Sequence, residues 1–230
     1  MNGLSIAIQH TPHFAERRHW VQSMVAQLRR EDQHIALTIV QDKEREGCWP
    51  TYRRALLAAG DTSHHLVLQD DVGLCRDFIA SALKAIEARP QNLIALYTNT
   101  AAVIRARAKR HAWIEKEGIC GPAMIWPRDS IGEFLDWQEK HIDPTFVWDT
   151  VRVSIWLIKT AKQAFATVPS LTEHLGCGLS TLGLNGRSKV AAWYIGHHRS
   201  GLRIDWSRGL TRPERDSANI PPECWQYFRE

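Results

Sequence analysis

The chain has 230 residues, 44% hydrophobic and 23% charged, with a formal net charge of +4, a balance that fits a folded globular protein and excludes general disorder. It is long enough to bury a full core, and one domain is expected. No apolar run approaches the roughly 18 to 20 residues of a membrane span, and Met1 to Gln9 lacks the basic region and cleavage site of a secretory signal. No membrane span and a cytoplasmic location are therefore expected. Five scattered cysteines, Cys48, Cys75, Cys120, Cys177 and Cys224, never form a C-x-x-C pair, which argues against a disulfide framework or a zinc ribbon.

In chain order, Leu4 to Gln9 reads as a buried strand. Thr11-Pro12 opens a helix with Trp20, Val21, Met24, Val25 and Leu28 at helical spacing. Ile35 to Val40 is a second strand ending at Gln41-Asp42, and the βαβ unit so formed should cross over right-handed. Trp49 to Ala59 follows as a helix, with Pro50 in its first turn and Gly60 as its stop. Leu66 to Leu68 is a third strand, apolar on both faces as in the centre of a parallel sheet, and it runs straight into Asp70-Asp71. Asp77 is placed to cap a helix from Phe78 to Ala88 that Pro90 ends.

Leu93 to Tyr97 is a fourth apolar run, so strand and helix alternate through the first hundred residues in a doubly wound α/β pattern. Thr98 to Glu117 crowds Arg105, Arg107, Lys109, Arg110 and His111 into a basic helix or long loop. A short strand ends at Trp126, a helix spans Asp129 to about Lys140, and after Asp143-Pro144 a helical pattern resumes from Trp148 to Lys159 with Asp149 in its first turn. The remainder holds Glu173-His174, a glycine-rich stretch and a loop-like tail that concentrates His197, His198, Arg199, Arg203, Arg208, Arg212 and Arg215. Neither G-x-G-x-x-G after a strand nor G-x-x-x-x-G-K-[ST] occurs.

The carboxyl end of a central strand is where open α/β sheets hold ligands, so Asp70 and Asp71 mark the first candidate site. Hard oxygen donors there suit Mg²⁺ or Mn²⁺, especially beside a ligand that carries phosphates. Three features follow one another in the sequence. They are the acids after the third strand, Asp149 before an apolar helix, and Pro169-Ser170-Leu171-Thr172-Glu173-His174 ahead of glycines. In that order they resemble the GT-A glycosyltransferases, particularly bacterial and phage-type enzymes with an E-D-D or D-x-D-like motif, over roughly Leu4 to Gly183.

The resemblance implies a GT-A-like fold, a mostly parallel twisted sheet with helices on both faces. It implies a nucleotide-sugar-binding half (1–100), an acceptor and catalytic half (101–183) and a basic tail (184–230) folding over the site. Asp71 would be the main metal ligand and Asp70 a partner to metal or sugar. Gln69 stands where E-D-D variants carry an acid. Asp42, Gln9 and His10 would lie near the base or ribose. Asp149 would be the catalytic base or hold the acceptor hydroxyl, with Trp148 beside it, and His174 would complete the metal shell, with His197 and His198 as rivals.

A divalent cation would neutralise the departing diphosphate, and arginine forks would supplement it. Arg53, Arg54, Arg199 and Arg203 are the candidates. Ten tryptophans, which stack on sugars and bases alike, and the basic stretches suggest an anionic acceptor. Phage-type relatives glycosylate hydroxymethylpyrimidines in DNA and bacterial ones extend lipopolysaccharide, and the expectation leans to DNA. Two other classes fit the same residues: a non-catalytic nucleic-acid-binding protein, and a metal-dependent nucleotidyltransferase.

Overall fold

Side-chain alternation along the strands sorts the chain into two apolar layers. The computed structural model describes residues 3–116, 118–119, 121–175 and 190–212. In β1 (Leu4–His10) and β3 (His64–Gln69), Ile6, Ile8, Leu66 and Leu68 face one layer, while Ala7 and Val67 face the other. The first layer is covered by Val21, Met24 and Leu28 of α1 (Ala15–Glu31) and by Phe78, Ile79, Ala82 and Ile86 of α3 (Phe78–Ala88). The second takes Trp49, Tyr52 and Leu56 of α2 (Cys48–Leu57), Phe134 of α5 (Arg128–His141) and Trp156 of α6 (Asp149–Lys159). Each of these large side chains contributes about 1.5–3 kcal/mol by leaving water, so helices on both faces are what the strand pattern demands.

The eight-stranded sheet runs in the order β10 (Leu210–Thr211), β6 (Trp113–Lys116), β8 (Ala164–Thr167), β5 (Leu93–Ala95), β7 (Ala123–Pro127), β3, β1 and β2 (Ala36–Gln41). β1, β2, β3, β5 and β8 point one way, and β6, β7 and β10 the other. The sheet is thus mostly parallel, as the alternating pattern predicts, with β7 inserted antiparallel beside the central strand β3. A separate ribbon pairs β4 (Val72–Leu74) antiparallel with β9 (Thr172–His174), matching Val72 with His174.

Several expectations change in detail. The basic stretch after Thr98 divides into α4 (Ala102–Ala108) and β6. Asp77 does not cap α3 with its side chain. Its backbone is left-handed at φ 54°, and the amide of Ile79 is satisfied by Glu31 of α1 at 2.8 Å instead. Five tryptophans, Trp49, Trp113, Trp126, Trp156 and Trp206, are buried core. Part of the predicted tail also joins the core: Trp206 packs on Trp113 with ring centroids 5.2 Å apart, and Leu210–Thr211 extends the sheet beside β6. No helix among the described residues is long and apolar enough to cross a membrane.

Candidate active site

Strand β3 ends at Gln69, whose amide bonds the carbonyl of Pro122 at 2.8 Å, and the chain turns at once through Asp70 and Asp71 into β4. Both aspartates are buried, at 1% and 4% exposure. Buried carboxylates need donors or a cation, and the surrounding segments supply them. Oδ2 of Asp70 accepts from the amide of Thr11 at 2.6 Å and lies 3.1 Å from Nδ1 of His10, while its Oδ1 accepts from Arg17. The second arm of the Arg17 guanidinium reaches Oδ2 of Asp71 at 3.0 Å.

The β4–β9 ribbon brings a residue a hundred positions away to the same turn. Leu175 donates its amide to the carbonyl of Asp71 at 2.6 Å, and Nε2 of His174 stands 3.5 Å from Oδ2 of Asp71. Two polar atoms here have no hydrogen-bond partner among the described residues: Oδ1 of Asp71 and Nδ1 of His174. Burial pushes the Asp71 carboxyl upward, and the charges of Arg17 and His174 pull it back.

Among the described residues no group of three His, Cys, Asp or Glu side chains forms a ready-made metal site. The pair of Asp71 and His174 nonetheless fits a divalent cation whose remaining ligands come from substrate. Mg²⁺ in phosphate-transfer sites is held by one or two carboxylates plus phosphate oxygens, and the orphaned Asp71 Oδ1 is an unused acceptor of the right kind. Asp70 fits less well as a ligand, because both its oxygens already accept from the chain.

A second polar cluster lies in the α2–α6 layer. Asp149 begins α6 with 5% exposure. Its Oδ1 accepts from the Thr150 amide at 2.7 Å, and its Oδ2 has no partner among the described residues. Burial pushes the Asp149 carboxyl up to about 6, opposed by the Thr150 amide, by Gln9 and by the charge of Arg152. Gln9, the penultimate residue of β1, donates to the carbonyl of Cys48 at 2.8 Å and leaves its own Oε1 unpartnered. The Cys48 thiol, pushed up to about 12 by burial and by Asp149, is a neutral neighbour.

The structure therefore brings Asp70, Asp71, His10 and His174 together, and Gln9 with Asp149. The other predicted residues add no side-chain hydrogen bond to these groups among the described residues, although the Asp42 amide donates to the carbonyl of His10 at 2.8 Å. Asp42 spends both carboxylate oxygens on the amides of Glu46 and Gly47, at 2.7 and 3.1 Å, folding the loop ahead of α2. Arg54 pairs with Glu46, and Arg53 is exposed on α2. Arg199 and Arg203 are exposed, and Trp148 is half-buried at the start of α6, packed against the cluster of Ile142, Phe146 and Ile155. Of the rival histidines, His197 bonds the carbonyl of Leu74 through Nδ1 at 3.2 Å, and His198 is exposed. The glycine-rich stretch 176–189 and the tail end 213–230 lie outside the described residues.

Sequence reasoning missed Arg17 and Cys48. Arg17 had one available signal: it falls in the first turn of the helix after β1, which starts at the same sheet edge as the acids.

No family model and no curated protein matches the chain. Among solved structures it is similar to a mutant Drosophila β-1,4-galactosyltransferase 7 in complex with manganese, UDP-Gal and xylobiose, at 10% identity and TM-score 0.44 over 77% of this chain and 72% of that one. It is also similar to A197 from STIV, at 14% identity and TM-score 0.43 over 87% of this chain and 97% of that one. Roles for individual residues rest on the geometry above.

Proposed function

We propose that this protein is a glycosyltransferase that moves a sugar from a nucleoside diphosphate to a hydroxyl acceptor with Mn²⁺ or Mg²⁺. The observation that carries the reading is the meeting of Asp71 and His174 at the carboxyl end of the central strand, each with an unpartnered polar atom. Asp71 and His174 are the residues that would hold the cation, which when bound neutralises the leaving diphosphate as a Lewis acid. Asp70 holds the Thr11 amide, His10 and Arg17 in place around the turn. As the acceptor oxygen bonds the anomeric carbon and the bond to the diphosphate breaks, the hydroxyl proton passes to Oδ2 of Asp149. A carboxyl shifted to about 6 is charged and ready to accept it near neutral pH, a contribution typically of 10²- to 10⁴-fold.

An anionic acceptor remains part of the proposal, and exposed Arg199 and Arg203 are its candidate contacts. The lean to hydroxymethylpyrimidine DNA gains no support from the described residues. The basic stretch that suggested it is partly taken into packing, with Arg107 over the Trp193 ring at 4.9 Å and His111 bonded to Thr211 at 3.0 Å.

The test is a panel of sugar nucleotides incubated with Mn²⁺, read as release of nucleoside diphosphate. Release is expected for at least one donor, with a loss of 100-fold or more in Asp71→Asn and in His174→Ala. Pyrophosphate released from a nucleoside triphosphate instead identifies a nucleotidyltransferase. DNA retention without any nucleotide chemistry identifies a binding protein. Release that survives Asp71→Asn removes the metal assignment.

A further inference from the structure

Arg17 is the residue at this site that neither the sequence reading nor the proposed chemistry uses. It sits in the first turn of α1 with a side chain 11% exposed, and its fork spans both aspartates, one arm on Oδ1 of Asp70 and the other on Oδ2 of Asp71. Its guanidinium also lies 5.5 Å from the centroid of the Phe14 ring, so one face is shielded. The oxygen it takes from Asp71 is the one facing His174 at 3.5 Å, while Oδ1 of Asp71, also buried, is left unpartnered.

A cation binding at Asp71, whether on the unpartnered Oδ1 or on the Oδ2 that faces His174, would sit on a carboxylate that already holds a guanidinium. Like charges at that range repel strongly in a buried site, because little water screens them. The same planar fork that matches two carboxylates also matches the oxygens of a diphosphate. Arg17 therefore has two equally suited partners, and which one it holds decides whether Asp71 is open to a metal.

We infer that Arg17 is a counter-ion latch: it occupies Asp70 and Asp71 in the free protein and transfers to the diphosphate of the incoming nucleotide, so that cation and nucleotide bind together. The direction of coupling follows. Bare Mn²⁺ meets a site that already holds the positive charge of arginine and binds poorly. A nucleoside diphosphate draws the guanidinium off and adds negative charge, and the cation then binds well. By linkage the cation raises nucleotide affinity by the same factor. The role of the diphosphate rests on the proposed transferase function; the competition between Arg17 and a cation at Asp71 stands without it.

The experiment measures Mn²⁺ affinity by electron paramagnetic resonance of the free ion, with no nucleotide present, for the wild-type chain, Arg17→Gln and Arg17→Lys. Arg17→Gln is expected to bind bare Mn²⁺ about 10-fold or more tightly than wild type, with a larger rise in melting temperature on adding Mn²⁺. Because it leaves two buried carboxylates without their cation, Arg17→Lys serves as the second variant. It keeps one charge, loses the fork, and is expected to gain less. In wild type, UDP or GDP is expected to raise protein-bound Mn²⁺ by a factor that falls toward one in Arg17→Gln.

Bare Mn²⁺ binding by wild type as tight as by the variants overturns the latch. If Arg17→Gln gains Mn²⁺ affinity while no sugar nucleotide is bound or hydrolysed, the competition at Asp71 holds, and the transferase reading falls together with the transfer of Arg17 to a diphosphate. If wild type hydrolyses a sugar nucleotide but the Arg17 variants leave Mn²⁺ affinity unchanged, the transferase reading holds and the latch falls.

Discussion

Asp149→Asn should make the protein more stable at neutral pH while disabling it. The native carboxyl lies at about 6 against an ordinary 3.8, and that difference of about 2 pKa units corresponds to roughly 3 kcal/mol. The sign follows from the raised value. The folded state holds the Asp149 proton more tightly than the unfolded chain does, so this contribution is fully present below pH 3.8. It is lost as pH rises through about 6, and above that the fold carries a buried, poorly solvated charge. Asparagine has the shape of the neutral form and no charge to bury. It keeps the acceptor for the Thr150 amide, and its new N–H₂ group faces a neighbourhood in which Gln9 Oε1 lacks a donor. Against this, α6 loses a negative charge at its first residue, which costs about 0.3–1 kcal/mol.

The net expectation is stabilisation by about 2 kcal/mol at pH 8, or roughly 4–8 °C in melting temperature for a chain of this length. At pH 4 the gain should shrink to nothing or reverse slightly. Thermal unfolding of both proteins from pH 4 to 8 measures this, and the diagnostic quantity is how the difference between them changes with pH. A constant difference, or a variant less stable at pH 8, would refute the claim that Asp149 is a charge held in an unfavourable place. Loss of transfer activity alongside the gain is the pattern of a group kept for function at the expense of stability.

Two further outcomes follow from packing. A Cβ on Gly73 would sit 2.5 Å from Cε1 of His197 and 3.3 Å from a methyl of Leu175. Gly73→Ala should therefore push the β4–β9 ribbon and its His174 away from Asp71, seen as a Mn²⁺-dependent activity loss of about 10-fold or more with a smaller change in stability; full Mn²⁺ dependence at unchanged activity would show that the ribbon does not position His174. Arg152, 1% exposed, donates to Gln138 Oε1 and to the carbonyls of Asp143 and Phe146, binding the segment before α6. Arg152→Met should lower stability by about 3 kcal/mol, in the range for breaking a buried charged network. Because Arg152 also holds the Asp149 carboxyl down, the acid limb of the pH–rate profile should move to higher pH, and a profile that stays in place would break that link.

What was legible in the sequence depended on how local its cause is. The apolar run Leu66 to Leu68 and the acids after it were readable because a buried strand and its end are written in consecutive residues. The helices α1, α2, α3, α5 and α6 were readable because their buried faces repeat at helical spacing. The three-residue strands β4 and β9 carry no periodicity. Their pairing exists because Val72 and His174 meet across a hundred residues of intervening fold, so His174 could be reached from the sequence only through the order of motifs. The antiparallel insertion of β7 beside β3 was equally hidden, since direction within a sheet is set by the path of the connections and not by strand composition.

Arg17 shows the deeper reason why sites are read less completely than folds. Helical periodicity assigns α1 its buried stripe of Val21, Met24 and Leu28 and leaves every charged residue to solvent by default. That default fails only where a helix begins above a strand end that carries acids, because the buried carboxylates then require a counter-charge that no residue of their own strand provides. The requirement can be stated from Asp70 and Asp71 alone, but not which cation meets it: a side chain of α1, a metal ion, or each in turn. The structure places Arg17 on both aspartates while leaving Asp71 Oδ1 and His174 Nδ1 unpartnered. One guanidinium thus supplies a single positive charge to two carboxylates without exhausting their hydrogen-bonding capacity, the condition that the exchange of one cation for another requires.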